Sequence, residues 1–314
     1  MSRTIPALIV LLFIGLAACT PPEKITFSEE NLFPEGIAYD AKRGHFLVSS
    51  LRRGDIGQVN DAGDYEVFIT DDRLVSAIGL HLDAQRDRLI VMVSDPGVSV
   101  KTDPETQRKL AAVAIYSLES GQELFFENLA SEDGYHFAND ATVDSAGNIY
   151  VTDSFSPVIY RITPDYQFSE FLRDEDLAAE GFGLNGIAFV GGHLIVARSD
   201  VGQLLRVPLD NPADYTTVAL ESELRDADGL VLMSDGRLIV ITNGSSGAES
   251  GAHVLRSTDD WQSARIVRTI ERDWEFPTTG TIREGHVYVL SARLNQLFGS
   301  ENPSVPSFDI FRIN

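Results

Sequence analysis

A sixfold internal repeat of a paired strand unit constrains this chain more than any other feature. A short apolar segment, a turn and a β-branched segment occur first as Glu35-Gly36-Ile37-Ala38-Tyr39 followed by His45-Phe46-Leu47-Val48-Ser49. Five copies follow, at residues 78–82 with 88–91, 139–143 with 148–151, 185–189 with 193–196, 228–232 with 237–240 and, most divergent, 279–282 with 286–289. They recur at intervals of roughly 43 to 61 residues, the length of a four-stranded propeller blade or slightly more. Ser145-Ala146-Gly147-Asn148 and Ser234-Asp235-Gly236-Arg237 supply the turns that hairpins require. Two further strand-like runs separate the copies, for example 158–162 and 168–172. Four strands in each of six repeats predicts an all-β, six-bladed β-propeller over residues 25–314.

A ring of blades must close, because a bare strand edge templates aggregation. The last repeat lacks a fourth strand after Phe308-Asp309-Ile310-Phe311-Arg312-Ile313, and a spare one, Lys24-Ile25-Thr26-Phe27, precedes the first. These two runs are predicted to pair within one blade.

The residue that opens each innermost strand reads Glu35, Ile78, Asn139, Asn185, Asp228 and Thr279. Equivalent positions in a ring of blades converge on its axis, so four oxygen-bearing side chains are expected to meet at one mouth of the channel. Singly each is unremarkable, since Asn-Gly and Asp-Gly are common turn pairs. Together they form a set of hard oxygen donors without thiolate or imidazole, which suits Ca²⁺ best, with Mg²⁺ or Mn²⁺ behind it. Two carboxylates balance a dication, and the remaining positions stay open to water and substrate.

Glu35-Gly36 after Phe33-Pro34, the pair Asn139-Asp140, Asn185-Gly186, Asp228-Gly229 and Thr152-Asp153-Ser154 together resemble the regucalcin, gluconolactonase and luciferin-regenerating-enzyme family of six-bladed propellers. The resemblance covers nearly the whole chain after the N-terminal segment. It implies that Glu35, Asn185 and Asp228 bind the metal, that Asn139 contacts metal-bound water or substrate, and that Asp228 doubles as catalytic base. The family's gluconolactonases usually carry an arginine two residues before this Asn, where Phe137 stands here. That departure points away from a sugar lactone and toward a less polar small-molecule substrate.

The expected reaction is metal-assisted hydrolysis of a lactone or related ester by water, with Asp228 taking the proton. No G-x-S-x-G elbow offers a serine nucleophile. The alternative is a non-catalytic, calcium-stabilised propeller that binds a small molecule or partner protein at the cell envelope. His136, on the approach to Asn139, is read as a proton shuttle or substrate contact, or else as an exposed loop histidine. His81 is read as a hydrogen-bonded core residue. Asp95, Asp153, Asp200 and Asn243 end second strands at the same face and could orient the metal ligands or simply cap turns. Arg52 and Arg53 are read as positive charge at the mouth or as surface residues. Two loops, 95–110 and 244–251, are read as lids or as solvated connections.

The N-terminus carries Arg3, an apolar run from 5 to 16, and Leu16-Ala17-Ala18-Cys19. The run is shorter than the ~20 residues a membrane-spanning helix needs and reads as an export signal. Leu-Ala-Ala-Cys resembles a bacterial lipoprotein signal, which implies removal of residues 1–18, lipidation at Cys19 and a short tether over 19–24. The competing reading, plain secretion, leaves a free thiol on an exported protein. The expected location is therefore the bacterial cell envelope, on the periplasmic side, with the lipid anchor as the sole membrane contact. A formal net charge of −22 repels phosphate backbones, which argues against a nucleic-acid partner.

Overall fold

Each copy of the repeat folds as an antiparallel hairpin whose second strand carries a valine at the same level: Val48, Val91, Val151, Val196, Val240 and Val289. They pair with Ile37, Leu80, Ala141, Ile187, Leu230 and Gly280. All six valines are buried, because neighbouring blades cover both faces of each sheet; β-branched residues suit such a pleated, enclosed surface. In the computed structural model, which describes residues 21–300 and 303–313, these hairpins belong to six four-stranded sheets arranged as a six-bladed β-propeller. Cys19, the 1–18 signal segment and the start of the tether lie outside the described residues.

The ring closes as the sequence predicts. The strand Lys24–Phe27 pairs antiparallel with Phe308–Arg312, setting Ile25 opposite Ile310 and Phe27 opposite Phe308. Rings of Phe27 and Phe33 lie 5.8 Å from that of Phe308, so the first and last segments share one aromatic cluster. The chain reaches this strand along the end of the barrel opposite the predicted mouth, where the Pro22 and Pro21 carbonyls accept from the Tyr288 hydroxyl (3.0 Å) and Arg312 Nη1 (2.9 Å). Among the described residues no helix is long and apolar enough to cross a membrane.

Five innermost strands carry a β-bulge at the same level, between Ala77 and Leu80, Ala138 and Ala141, Leu184 and Ile187, Ala227 and Leu230, and Pro277 and Gly280. A bulge sets two residues opposite one and re-aims their side chains. In three of them the first residue, Asn139, Asn185 or Asp228, lines the pocket at the mouth, and the second residue packs close to the next blade. Glycine fills the second place at 79, 186 and 229, because a Cβ on Gly186 would lie 2.1 Å from the Asp228 carbonyl oxygen and one on Gly79 2.4 Å from that of Asn139. Gly186→Ala is expected to cost about 1–3 kcal/mol, the usual penalty of overpacking, read as a lower urea midpoint at unchanged slope.

The bulge register corrects one assignment. Gly280 pairs with Val289 as Leu230 pairs with Val240, so Thr278 rather than Thr279 is the counterpart of Asp228. The repeat is weakest here, and a one-residue slip is invisible without the pairing. Thr278 is buried, and its hydroxyl donates to the Glu35 carbonyl at 2.7 Å.

Candidate functional site

Three of the bulges bring Asn139, Asn185 and Asp228, and the start of the first blade's inner strand brings Glu35, to the floor of one pocket of about 440 Å³ at the channel mouth. All four are buried, and each is fixed by its own blade. The main-chain N–H groups of Glu35 and Gly36 donate to Ser49 Oγ (3.2 and 2.7 Å). Asn139 Nδ2 donates to Ser154 Oγ at 2.8 Å, which leaves its amide oxygen for the pocket. The Asn185 carbonyl accepts from Thr152 Oγ1 at 2.7 Å. Asp228 Oδ2 accepts from Asn243 Nδ2 at 2.7 Å.

Two floor atoms, Glu35 Oε2 and Asn185 Oδ1, are buried without any protein partner. Each such atom costs about 1–3 kcal/mol if nothing fills the place. Burial, then the charges of Asp228 and Asp140, hold the Glu35 carboxyl well above the usual carboxylate range. Burial likewise raises Asp228, against the hydrogen bond from Asn243, which pulls it down, while Asp140 adds to the rise. Asp140 itself is pushed up to about 7 by burial, although the Ala141 N–H donates to it at 2.8 Å. It stands where three other bulges have glycine, so its carboxylate enters the channel just beneath the floor. Among the described residues no group of three or more His, Cys, Asp and Glu side chains is placed to hold a metal. The floor instead offers two carboxylates and two amides, an all-oxygen set of the kind Ca²⁺ accepts.

Phenylalanines dominate the walls. Phe137 lines the pocket with Phe182, Phe276 and Phe298, backed by Leu51 and Leu294. Phe137 and Phe182 meet edge to face at 5.2 Å and 88°. Phe298, Leu294 and Asn295 belong to a five-residue helix, Leu294–Phe298, in the connection before the last strand. The loop 244–251 does reach the mouth, through Gly244 and Ser245, and Asp226 pins it by accepting from Ser246 N and Oγ (3.0 and 2.6 Å). The loop 95–110 does not line the pocket; Asp95 ties it down by accepting from Thr102 Oγ1 (2.8 Å) and Thr106 Oγ1 (2.7 Å).

His136 is neither exposed nor a pocket residue. It is 1% exposed and lies behind the wall, Nδ1 against Asp153 Oδ2 at 2.7 Å and Nε2 near Ser131 Oγ at 3.0 Å. Of the four residues that end second strands, Asn243 orients a floor residue directly, and Asp153 orients His136 and the Phe137 N–H (2.7 Å). Asp200 pairs with Arg198 at 2.6 Å. Arg52 donates to the Val98 carbonyl, and Arg53 is held by Asp55 and Glu29, so neither brings free charge to the pocket. His81 is half-buried in the channel, where desolvation pushes it down to about 4. Sequence reasoning missed Asp140, Phe182, Phe276 and Phe298; only Phe276-Pro277, which echoes Phe33-Pro34, left a readable sign.

A closed ring with an oxygen-lined floor at one mouth defines the class: a six-bladed β-propeller with an axial pocket. No family model matches the chain. A 68-residue segment, 21% of the chain, is 41% identical to core trichothecene cluster protein 14 of Fusarium sporotrichioides, and that match spans 18% of the fungal protein's length. Among solved structures, the major Malassezia sympodialis allergen Mala s 1 aligns with a TM-score of 0.73 at 19% identity, over 93% of this chain and 96% of the allergen. A gluconolactonase from Xanthomonas campestris aligns at 0.61 and 15% identity, over 92% and 89%. The luciferin-regenerating enzyme aligns at 0.59 and 12%, over 92% and 95%. The chain thus shares the fold of the gluconolactonase and luciferin-regenerating-enzyme propellers, and at these identities the likeness speaks for the fold alone.

Proposed function

We propose that this protein is a metal-dependent hydrolase of a lactone or related ester, with Ca²⁺, or else Mg²⁺ or Mn²⁺, held by Glu35, Asn139, Asn185 and Asp228. The observation that carries the reading is the pair of buried, partnerless oxygens, Glu35 Oε2 and Asn185 Oδ1, on two residues that line one pocket with a second carboxylate. A divalent cation there would polarise a substrate carbonyl toward attack by water. Asp228, the second carboxylate of the floor, would accept the proton from that water. Asn243 holds that carboxylate in place, and Ser154 turns the Asn139 oxygen to the pocket. The phenylalanine walls exclude bulk water around the reacting group.

Calcium linkage tests the metal half of this reading. Glu35 and Asp228 both have higher pKa values folded than unfolded, so the metal-free fold binds extra protons and loses stability as pH rises from about 4 through the raised values. Calcium competes with those protons. At about 100 times its dissociation constant it should stabilise the fold by about 2.7 kcal/mol at pH 8, and by almost nothing at pH 5. Thermal unfolding with calcium or a chelator at the two pH values reads this directly; identical midpoints at pH 8 would remove the metal. A lactone and ester panel tests the other half. Calcium binding without any turnover would make the protein a non-catalytic binding module.

A further inference from the structure

We infer that the pocket takes an uncharged ligand with a flat, apolar or aromatic body and a single carbonyl edge, and discriminates against sugars and anions. The inference rests on the floor being the reactive end, as proposed above, and it names the substrate class of that site.

Three observations carry it. First, above the floor the larger part of the wall is apolar, four phenylalanines with Leu51 and Leu294, interrupted by Ser199, Ser245 and Asn295. Phe137, Phe155 and Phe182 form a three-ring cluster with centroids 5.0–5.2 Å apart, and Phe137 and Phe182 present it to the pocket opposite Phe276 and Phe298. Each hydroxyl of a sugar laid against these rings would give up water without replacement, a cost of about 1–3 kcal/mol. Phe182 and Phe298 remain 40% and 48% exposed, apolar area that a bound flat ring would cover.

Second, among the described residues no lysine or arginine side chain lines the pocket. The cations close to it are committed elsewhere. Arg108 lies over the Tyr135 and Phe155 rings, at 4.5 and 5.0 Å. Arg198 is bound to Asp200 at 2.6 Å, and Arg293 faces Glu275 and Asp309 at 3.8 and 3.6 Å. A dication on the floor would only balance Glu35 and Asp228, so an anionic ligand would find no surplus positive charge in a strongly acidic protein.

Third, Phe276 is held in the left-handed region, φ 52°, where a bulky side chain is strained. The Ala292 N–H donates to its carbonyl at 3.0 Å, the Arg293 N–H donates to the Glu275 carbonyl at 3.0 Å, and Glu275 Oε1 accepts from Asn295 and Gln296 of the short helix. One side chain therefore fastens both the strained Phe276 segment and the helix that carries Phe298. Such strain persists where the surroundings enforce it and concentrates at ligand sites.

Binding separates this inference from the hydrolase reading. Calorimetric titration of the purified, calcium-supplied protein compares 2-tetralone, a neutral aryl ketone that cannot be hydrolysed, with glucono-1,5-lactam and 2-naphthalenesulfonate. The ketone should bind at least about tenfold more tightly than either. Phe298→Ser and Phe182→Ser, both at half-exposed positions that leave the core intact, should each weaken the ketone by about tenfold and leave the lactam unchanged. Equal or tighter binding of the lactam or the sulfonate overturns the ligand class, as does indifference to both substitutions. Hydrolysis supplies the other arm. Ketone binding without turnover of dihydrocoumarin leaves the ligand class standing and sinks the hydrolase, whereas turnover of gluconolactone as fast as dihydrocoumarin does the reverse.

Discussion

Asp228→Ala should lower turnover of the best lactone substrate by about 10²- to 10⁴-fold, the contribution of a positioned general base, while leaving the metal-free protein at least as stable as wild type at pH 8. The second half of that expectation makes the first informative. Asp228 is buried beside Glu35 and within the field of Asp140, and its carboxyl is raised in consequence. Its charge therefore opposes folding above the usual carboxylate range, and removing it should relieve the fold. A residue kept for structure would behave in the opposite way, losing stability when truncated. Asn243→Ala offers a graded control: it removes the 2.7 Å hydrogen bond to Asp228 Oδ2 without removing the base, so its loss in turnover should fall well short of that of Asp228→Ala. Unfolding midpoints and initial rates on the same preparations decide the matter. A catalytically intact Asp228→Ala protein would end the general-base role.

The fold was legible because its signal is repeated six times, and repetition averages out local ambiguity. Val48, Val91, Val151, Val196, Val240 and Val289 occupy one level of the ring, and that alignment alone carries Glu35, Asn139, Asn185 and Asp228 to a common end. The closing pair of strands was legible for a complementary reason, one strand missing and one left over. Legibility failed where the repeat breaks. The counterpart of Asp228 is Thr278 rather than Thr279 because a bulge changes the register without changing the composition. In the sequence Asp140 is half of a motif, whereas its meaning lies in the glycine it replaces, which only the close approach of neighbouring blades reveals. Phe182, Phe276 and Phe298 come from connections of unequal length, where no periodicity operates and only the fold places them around a shared volume. His136 looked like a loop residue because its partner, Asp153, is 17 positions away on the next strand.

That pair should dominate the stability of the third blade. Asp153 is 0% exposed and accepts from five groups: the ring of His136 (2.7 Å), Tyr160 OH (3.0 Å) and Phe137 N (2.7 Å), with Phe155 N and Ser156 N (3.1 Å each) completing the turn, and the Asp153 strand ends there. Although burial alone would lower the His136 pKa, the hydrogen bond and charge of Asp153 outweigh it, and the net shift is upward. The folded protein thus favours the imidazolium. Its stabilisation is complete below the unfolded value of about 6.5 and fades as pH rises through the raised folded value. Asp153→Ala strips the charge from a buried partner and orphans several donors at once, so it should cost about 3–5 kcal/mol. Asp153→Asn, which keeps one acceptor for the main-chain donors, should cost less but abolish the decline in stability that accompanies His136 deprotonation. Because Phe137 and Phe155 hang from the same carboxylate, either variant should also weaken ligands that contact the phenylalanine wall. Urea denaturation of the three proteins between pH 5.5 and 8.5 provides the test: a wild-type curve without that decline, or one that Asp153→Asn reproduces, would show that the charge on His136 plays no part in holding the wall.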